Sequence, residues 1–267
     1  MTNTNLGTKP SIRGGKDFLT VLSRGLAVLE SFSDFGQKMT LAEAAKRVDL
    51  PRAAARRCLL TLEELGYVES NGRYFSLTPK VLTISQAYLS SNPLPQIAQP
   101  FLDRISATVG SSCSLGVLQD DFIIHIASSS SPTLSNIRRG VGAHLPAYCT
   151  SMGRVMLANL AVDELDSYLN RVELAPITPQ TITDEGKLRS IIKKVSMDGY
   201  CYASGETSLY IQAIAVPVYN NHGKIKATLG VMNIKDGMEV IEKKEFISKN
   251  LPVLRRASEE MGALLME

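Results

Sequence analysis

Two groups of side chains in this sequence have the types and spacing to do chemistry. Arg56 and Arg57 stand behind Arg52, Ala53 and Ala54. Guanidinium groups beside small side chains on one helix can enter a major groove and pair with base edges. Far downstream, Thr150 and Ser151 follow the extended stretch Leu145-Pro146-Ala147-Tyr148, where a helical pattern begins. The first amides of a helix have no partner within it, so with two hydroxyls beside them they make a seat for a carboxylate. His144 and Cys149 suggest a thiol–imidazole pair, the alternative of a Cys/His hydrolase. No third orienting group and no G-x-S-x-G elbow accompanies them, and two ligands are too few for a metal site. The expectation is a binding protein, with no catalytic residue, no metal and no cofactor.

The arginines need a helix to present them. Thr40 and Glu43 form a capping box that starts a helix at Leu41. A turn runs through Val48-Asp49-Leu50, and Pro51 suits the first position of a second helix. At 100° per residue, Ala55, Cys58, Leu59, Leu62 and Leu65 fall on one arc. Ala53, Arg56, Arg57, Leu60 and Glu64 fall on the other. Gly66 ends the helix, and Tyr67–Glu69 and Arg73–Phe75 flank Asn71-Gly72, a dipeptide that favours a tight hairpin. A helix-turn-helix followed by a hairpin is a winged helix, with Arg73 on the wing. Asp17 to Phe35 reads as a supporting helix on the stripe Leu22, Leu26, Leu29 and Phe32, and Arg24, Lys46 and Arg47 are candidate phosphate contacts.

Charge is segregated in the same way. Residues 1–80 hold 12 Lys/Arg against 8 Asp/Glu (+4), and residues 81–267 hold 17 against 18 (−1). The excess lies in the segment with the winged-helix pattern, which fits a local nucleic-acid footprint. With 267 residues the chain is comfortable for two domains. Residues 1–16 read as a disordered tail carrying Lys9, Arg13 and Lys16, and residues 17–78 as the winged helix. Residues 79–92 read as a linker helix on Val81, Leu82, Ile84, Tyr88 and Leu89. That stripe needs a partner, either its copy in a dimer or its own domain. The four cysteines, Cys58, Cys113, Cys149 and Cys201, lack zinc-ligand spacing and read as buried free thiols. Without a signal-peptide pattern or an apolar run near about 18 residues, the expected location is the cytoplasm, with no membrane partner.

Residues 93–267 alternate differently. Helices are expected near 95–109, 150–157, 162–170, 184–197 and 240–265, and strands near 112–118, 122–127, 200–204, 211–218 and 225–234. Short turns between neighbouring strands point to an antiparallel sheet with helices packed on it, an α+β domain.

The chain resembles the IclR family of bacterial transcriptional regulators from about residue 18 onward. The resemblance rests on Ser23–Leu29, on Ala55-Arg56-Arg57 with Leu62–Val68, on Gly142–Arg154 and on Ala213–Val218. Ala54–Arg57, Tyr88–Ser91 and Cys149–Arg154 are most similar to the subgroup controlling aromatic-acid breakdown through protocatechuate and the β-ketoadipate pathway. The resemblance implies a winged-helix DNA-binding domain, a dimerising linker helix and a GAF-like effector domain. It also implies homodimers or tetramers on palindromic double-stranded DNA, a small carboxylic acid effector and a contact with RNA polymerase. Two departures stand out: His144, where many members carry Arg, and Pro51, where others carry a polar residue. Position-matching places Ser151 and Met152 at the effector pocket, Ala203 and Ala213 on its wall, and Gly230 and Met232 on the last strand. These small or apolar residues leave room for an aromatic ring, such as protocatechuate or 4-hydroxybenzoate. Tyr148, Tyr202 and Glu206 could then meet ring hydroxyls, and Arg138 the carboxylate. A small keto acid such as glyoxylate or pyruvate is the alternative effector.

Overall fold

The computed structural model describes residues 16–32, 38–130, 140–234 and 241–265. It divides into two compact units, Met1–Ser91 and Asn92–Glu267.

The first unit packs α1 (Thr20–Glu30), α2 (Leu41–Arg47) and α3 (Arg52–Glu64) with a small sheet of β1 (Met39–Thr40), β2 (Val68–Ser70) and β3 (Tyr74–Leu77), ordered β1-β3-β2. The capping box forms: the Thr40 amide donates to Glu43 Oε2 at 2.7 Å, and the Glu43 amide donates to the Thr40 hydroxyl at 3.3 Å. Val28, Phe32, Met39, Ala44, Leu59, Leu62, Val68 and Phe75 make the core. Three expectations shift. Pro51 is the N-cap of α3 rather than its first residue, with an extended ψ of 139°. The hairpin pairs Ser70 with Phe75, and the Asn71 amide donates to the Tyr74 carbonyl, so Gly72-Arg73 is the two-residue loop. Gly72 takes the positive φ of +89° at the first central position, while Asn71 Oδ1 accepts from the Arg73 and Tyr74 amides. Leu22 and Leu26 of the supporting helix are exposed, and only its C-terminal part, through Val28, Leu29 and Phe32, enters the core. A 3-10 turn (Pro79–Val81) leads into α4 (Leu82–Ser91), where Leu82, Ile84 and Tyr88 are exposed.

The second unit is built on one sheet ordered β6-β5-β4-β9-β8-β7, antiparallel throughout: β4 (Ser112–Gln119), β5 (Phe122–Ser129), β6 (His144–Pro146), β7 (Cys201–Ser204), β8 (Ile211–Tyr219) and β9 (Ile225–Ile234). On one face α5 (Leu94–Val109) and α9 (Lys243–Gly262) pack over Leu115, Ile126, Ile214, Val216 and Leu229. On the other, α6 (Ser151–Leu157), α7 (Val162–Arg171) and α8 (Glu185–Asp198) enclose Ala147, Val155, Leu157, Leu188 and Ile192. The pairing of β4 with β5 slips between Leu115 and Gly116, so Gly116 faces His125 while Leu115 faces Ala127. That bulge sends both Ile126 and Ala127 to the α5–α9 face and leaves His125 on the other.

Candidate nucleic-acid interface and effector cavity

The core arc of α3 buries Ala55, Leu59 and Leu62, which turns Arg52, Ala53, Arg56 and Arg57 outward to solvent. Ala54 is half-buried beside them, and Leu65 at the end of the arc is exposed. Arg73 is exposed at the hairpin tip with its guanidinium 5.2 Å from the Tyr74 ring, and Arg24 and Lys46 are exposed on α1 and α2. Arg47 departs from expectation. It is half-buried, and its Nη1 donates to the Ser31 carbonyl at 2.9 Å, tying α2 to the end of α1. The end of a helix leaves carbonyls without intrahelical partners, and this guanidinium satisfies one of them. At the other end of α3, Lys80 Nζ donates to the Leu65 carbonyl at 2.8 Å and lies 5.0 Å over the Tyr67 ring, so the turn before α4 grips the C-terminus of α3.

In the second unit a cavity lies between the sheet and the start of α6. Its floor is built of small side chains because the strands carry them in register. Ala203 of β7 pairs with Ala213 of β8, Ala213 with Met232 of β9, and Gly230 with Ser114 of β4. Met152 crosses that floor. A Cβ on Gly116 would lie 2.8 Å from Met152 Cε, and one on Gly230 would lie 3.0 Å from Met152 Cγ. The wall is set by Thr150, whose hydroxyl accepts from the Gly153 amide at 3.1 Å and so caps α6. The following turn can approach so closely because Gly153 lacks a side chain: a Cβ there would sit 2.2 Å from the Ala147 carbonyl oxygen.

Glu206 closes the opposite side. Arg154 binds it through Nη1 and Nη2, each at 2.6 Å, with the two side chains 2% and 8% exposed, and Arg154 Nε donates to the Tyr148 carbonyl. Desolvation works to lower the Arg154 pKa, yet the Glu206 hydrogen bonds and charge outweigh it and hold it above the usual arginine value. Glu206 Oε2 also accepts from the Ile182 amide, and the Glu206 carbonyl accepts from the Thr181 hydroxyl at 2.7 Å.

Thr150, Ser151, Met152, Ala203, Glu206, Ala213, Gly230 and Met232 therefore all line one cavity. Three other candidates do not. His144 is exposed on edge strand β6 and stacks on Phe122 with ring centroids 3.9 Å apart, because alternation along the strand turns Leu145 inward instead. Tyr148 is buried outside the lining, its hydroxyl donating to the Ala175 carbonyl at 2.6 Å, and burial pushes that phenol's pKa well up. Tyr202, on the other face of β7 from Ala203, donates to Gln212 and packs edge-on against Phe246. Arg138, Lys9 and Arg13 lie outside the described residues. The structure adds Ser114, His125, Leu145, Thr207 and Ile211 to the lining. Alternation from Ile123 to His125 was a signal that could have found the histidine. No group of three metal-ligating side chains occurs among the described residues.

Comparison with known proteins bears on both sites. A sequence model described as the IclR helix-turn-helix domain matches residues 21–72, and one described as bacterial transcriptional regulator IclR C-terminal matches residues 86–261. The Pca regulon regulatory protein of Pseudomonas putida is 41% identical over 93% of this chain and 84% of its own. The p-hydroxybenzoate hydroxylase transcriptional activator of Acinetobacter baylyi is 34% identical over 94% of this chain and 93% of its own. A crystal structure of the inducer-binding domain of a PobR double mutant from Acinetobacter, in complex with 3-hydroxybenzoic acid, superposes at a TM-score of 0.60 with 31% identity, covering 64% of this chain and 98% of that one. These relatives are regulators and not enzymes, which sets aside the Cys/His hydrolase. The chain belongs to the IclR family of bacterial transcriptional regulators.

Proposed function

We propose that this regulator senses a small aromatic carboxylic acid of the protocatechuate or 4-hydroxybenzoate type and controls genes of aromatic catabolism. The observation that carries this reading is the cavity floor. Ala203 and Ala213 leave an apolar space beside the polarisable Met152 and Met232, with hydroxyls of Ser114 and Ser151 on its rim. An aromatic ring fills such a space, and the rim supplies donors for its carboxylate. The relatives named for the Pca regulon and for p-hydroxybenzoate hydroxylase, and the inducer domain holding 3-hydroxybenzoic acid, support the same class.

On DNA, Arg56 and Arg57, with Arg52 and the small Ala53 and Ala54, would read the major groove of a palindromic operator, while Arg73, Arg24 and Lys46 would hold phosphates. A palindrome requires two copies, and the exposed apolar residues of α1 and α4 would be covered by a second chain in a cytoplasmic dimer, or in a tetramer of two such pairs. The effector can alter DNA binding or polymerase contact only by binding two arrangements of the assembly unequally.

A thermal-shift screen of the full-length protein tests the reading. Protocatechuate, 4-hydroxybenzoate, benzoate, shikimate, quinate, glyoxylate and pyruvate are the ligands. At about 100 times its Kd a ligand of the native state stabilises by about 2.7 kcal/mol. A shift with a hydroxylated aromatic acid is expected; a shift with glyoxylate or pyruvate alone would replace the aromatic reading with a keto-acid one.

A further inference from the structure

Gly116 stands in the interior of β4, where a glycine weakens a sheet and marks a place that another group approaches closely. The backbone does not demand it, because φ at Gly116 lies outside the left-handed region that favours glycine. Space does. A Cβ on Gly116 would lie 2.8 Å from Met152 Cε and 2.8 Å from Ile123 Cγ2. Gly230 on β9 does the same for the middle of that thioether, with a Cβ there 3.0 Å from Met152 Cγ and 3.2 Å from Sδ. Gly116 pairs with Thr228 and Gly230 with Ser114, so the two glycines form a diagonal trough across β4 and β9. Met152 lies along this trough with its methyl at Gly116.

Of the groups around Gly116, one can give way. The Gly116 backbone is paired with His125 on one side and Thr228 on the other, and the Thr228 hydroxyl donates to its carbonyl at 3.3 Å. Ile123 is fully buried, and Cγ2 of a β-branched side chain moves only with a stiff χ1. Met152 Cε ends a flexible, unbranched chain, and Met152 itself lines the cavity. A methyl group at position 116 would therefore drive the thioether up into the space assigned to the ring.

Resting on the aromatic-acid reading above, we infer that Gly116 determines effector specificity as a positioning residue. By taking the tip of Met152 into the sheet surface, it keeps the cavity deep enough for an aromatic ring. Gly116 is not itself part of the cavity lining, so it acts on the ligand through Met152.

The test is calorimetric titration of the full-length protein with 4-hydroxybenzoate and protocatechuate. It compares wild type, Gly116→Ala, Met152→Ala and the double variant. Gly116→Ala should weaken both acids at least about tenfold, whereas in the Met152→Ala background the same change should cost less than about threefold, since no thioether remains to be displaced. Equal losses in the two backgrounds, or none in either, overturn the inference alone. A second measurement needs no change at position 116 and carries the test if Gly116→Ala fails to fold by circular dichroism. In protein labelled at methionine methyls and protonated at glycine, the Met152 methyl should show a nuclear Overhauser contact to Gly116, both free and saturated with 4-hydroxybenzoate. Loss of that contact on saturation overturns the inference. If wild type binds neither acid, the aromatic-acid reading fails and the inference falls with it.

Discussion

Arg154 and Glu206 meet in a buried, two-pronged ion pair, each nitrogen–oxygen distance 2.6 Å. The pair joins the first helix over the cavity to the β7–β8 connection, and through Ile182 and Thr181 to the segment before α8. Removing one partner strands the other charge in the interior, which typically costs about 3–5 kcal/mol. Arg154→Met should lower the melting temperature sharply and weaken effector binding. The double change Arg154→Met with Glu206→Leu should recover much of the stability without the binding. A single variant as stable as wild type would show that the pair does not hold this wall.

Gly153 is the tightest backbone-to-backbone approach around the cavity, with the Ala147 backbone where a side chain would go. Backbone cannot yield as a flexible side chain can, so Gly153→Ala should destabilise by at least about 3 kcal/mol, at the upper end of overpacking effects. Gly223→Ala is a control: its φ of +72° strains alanine, but nothing lies within 4 Å of the added carbon. Its loss should stay near about 1 kcal/mol. Denaturant melts of both variants decide between crowding and backbone conformation as the origin.

On DNA, Arg56→Ala should lose about 1–3 kcal/mol on the operator and relax sequence preference, while Arg73→Ala should weaken all sequences similarly and reduce the salt slope by about one. Arg47→Ala should instead lower stability, since its guanidinium is committed to the Ser31 carbonyl. Fluorescence anisotropy on operator and scrambled duplexes at several salt concentrations separates the three; equal effects of Arg56→Ala on both duplexes would refute the groove assignment.

The four thiols should differ in reactivity. Cys113, Cys149 and Cys201 are buried, and burial pushes the Cys201 thiol up to about 12, whereas Cys58 on α3 is half-buried. An aromatic disulfide reagent at neutral pH should label Cys58 first, with the others reacting only as the second unit opens. Protection of Cys149 should increase with bound effector, because it lines the cavity. Labelling of Cys201 at the rate of Cys58 in the native protein would contradict the packing.

Local signals carried much of the architecture. The Thr40–Glu43 box, the apolar arc of α3 and the apolar runs of β8 and β9 on either side of a turn act over a few residues, so helix starts, exposed arginines and strands were legible from the sequence. The floor residues Ala203, Ala213 and Gly230 were recognisable only by likeness to a family, since they lie on three strands and meet only through sheet register. What tertiary structure decided was direction. One slip between Leu115 and Gly116 turns Ala127 with Ile126 to the α5–α9 face, so the cavity side of β5 ends at His125, while His144 stacks outside on Phe122. The Arg47 contact with Ser31 likewise joins residues 16 apart through the packing of two helices. Spacing along a chain determines which face of its own element a side chain takes, but which neighbour that face meets depends on pairing and packing between distant segments.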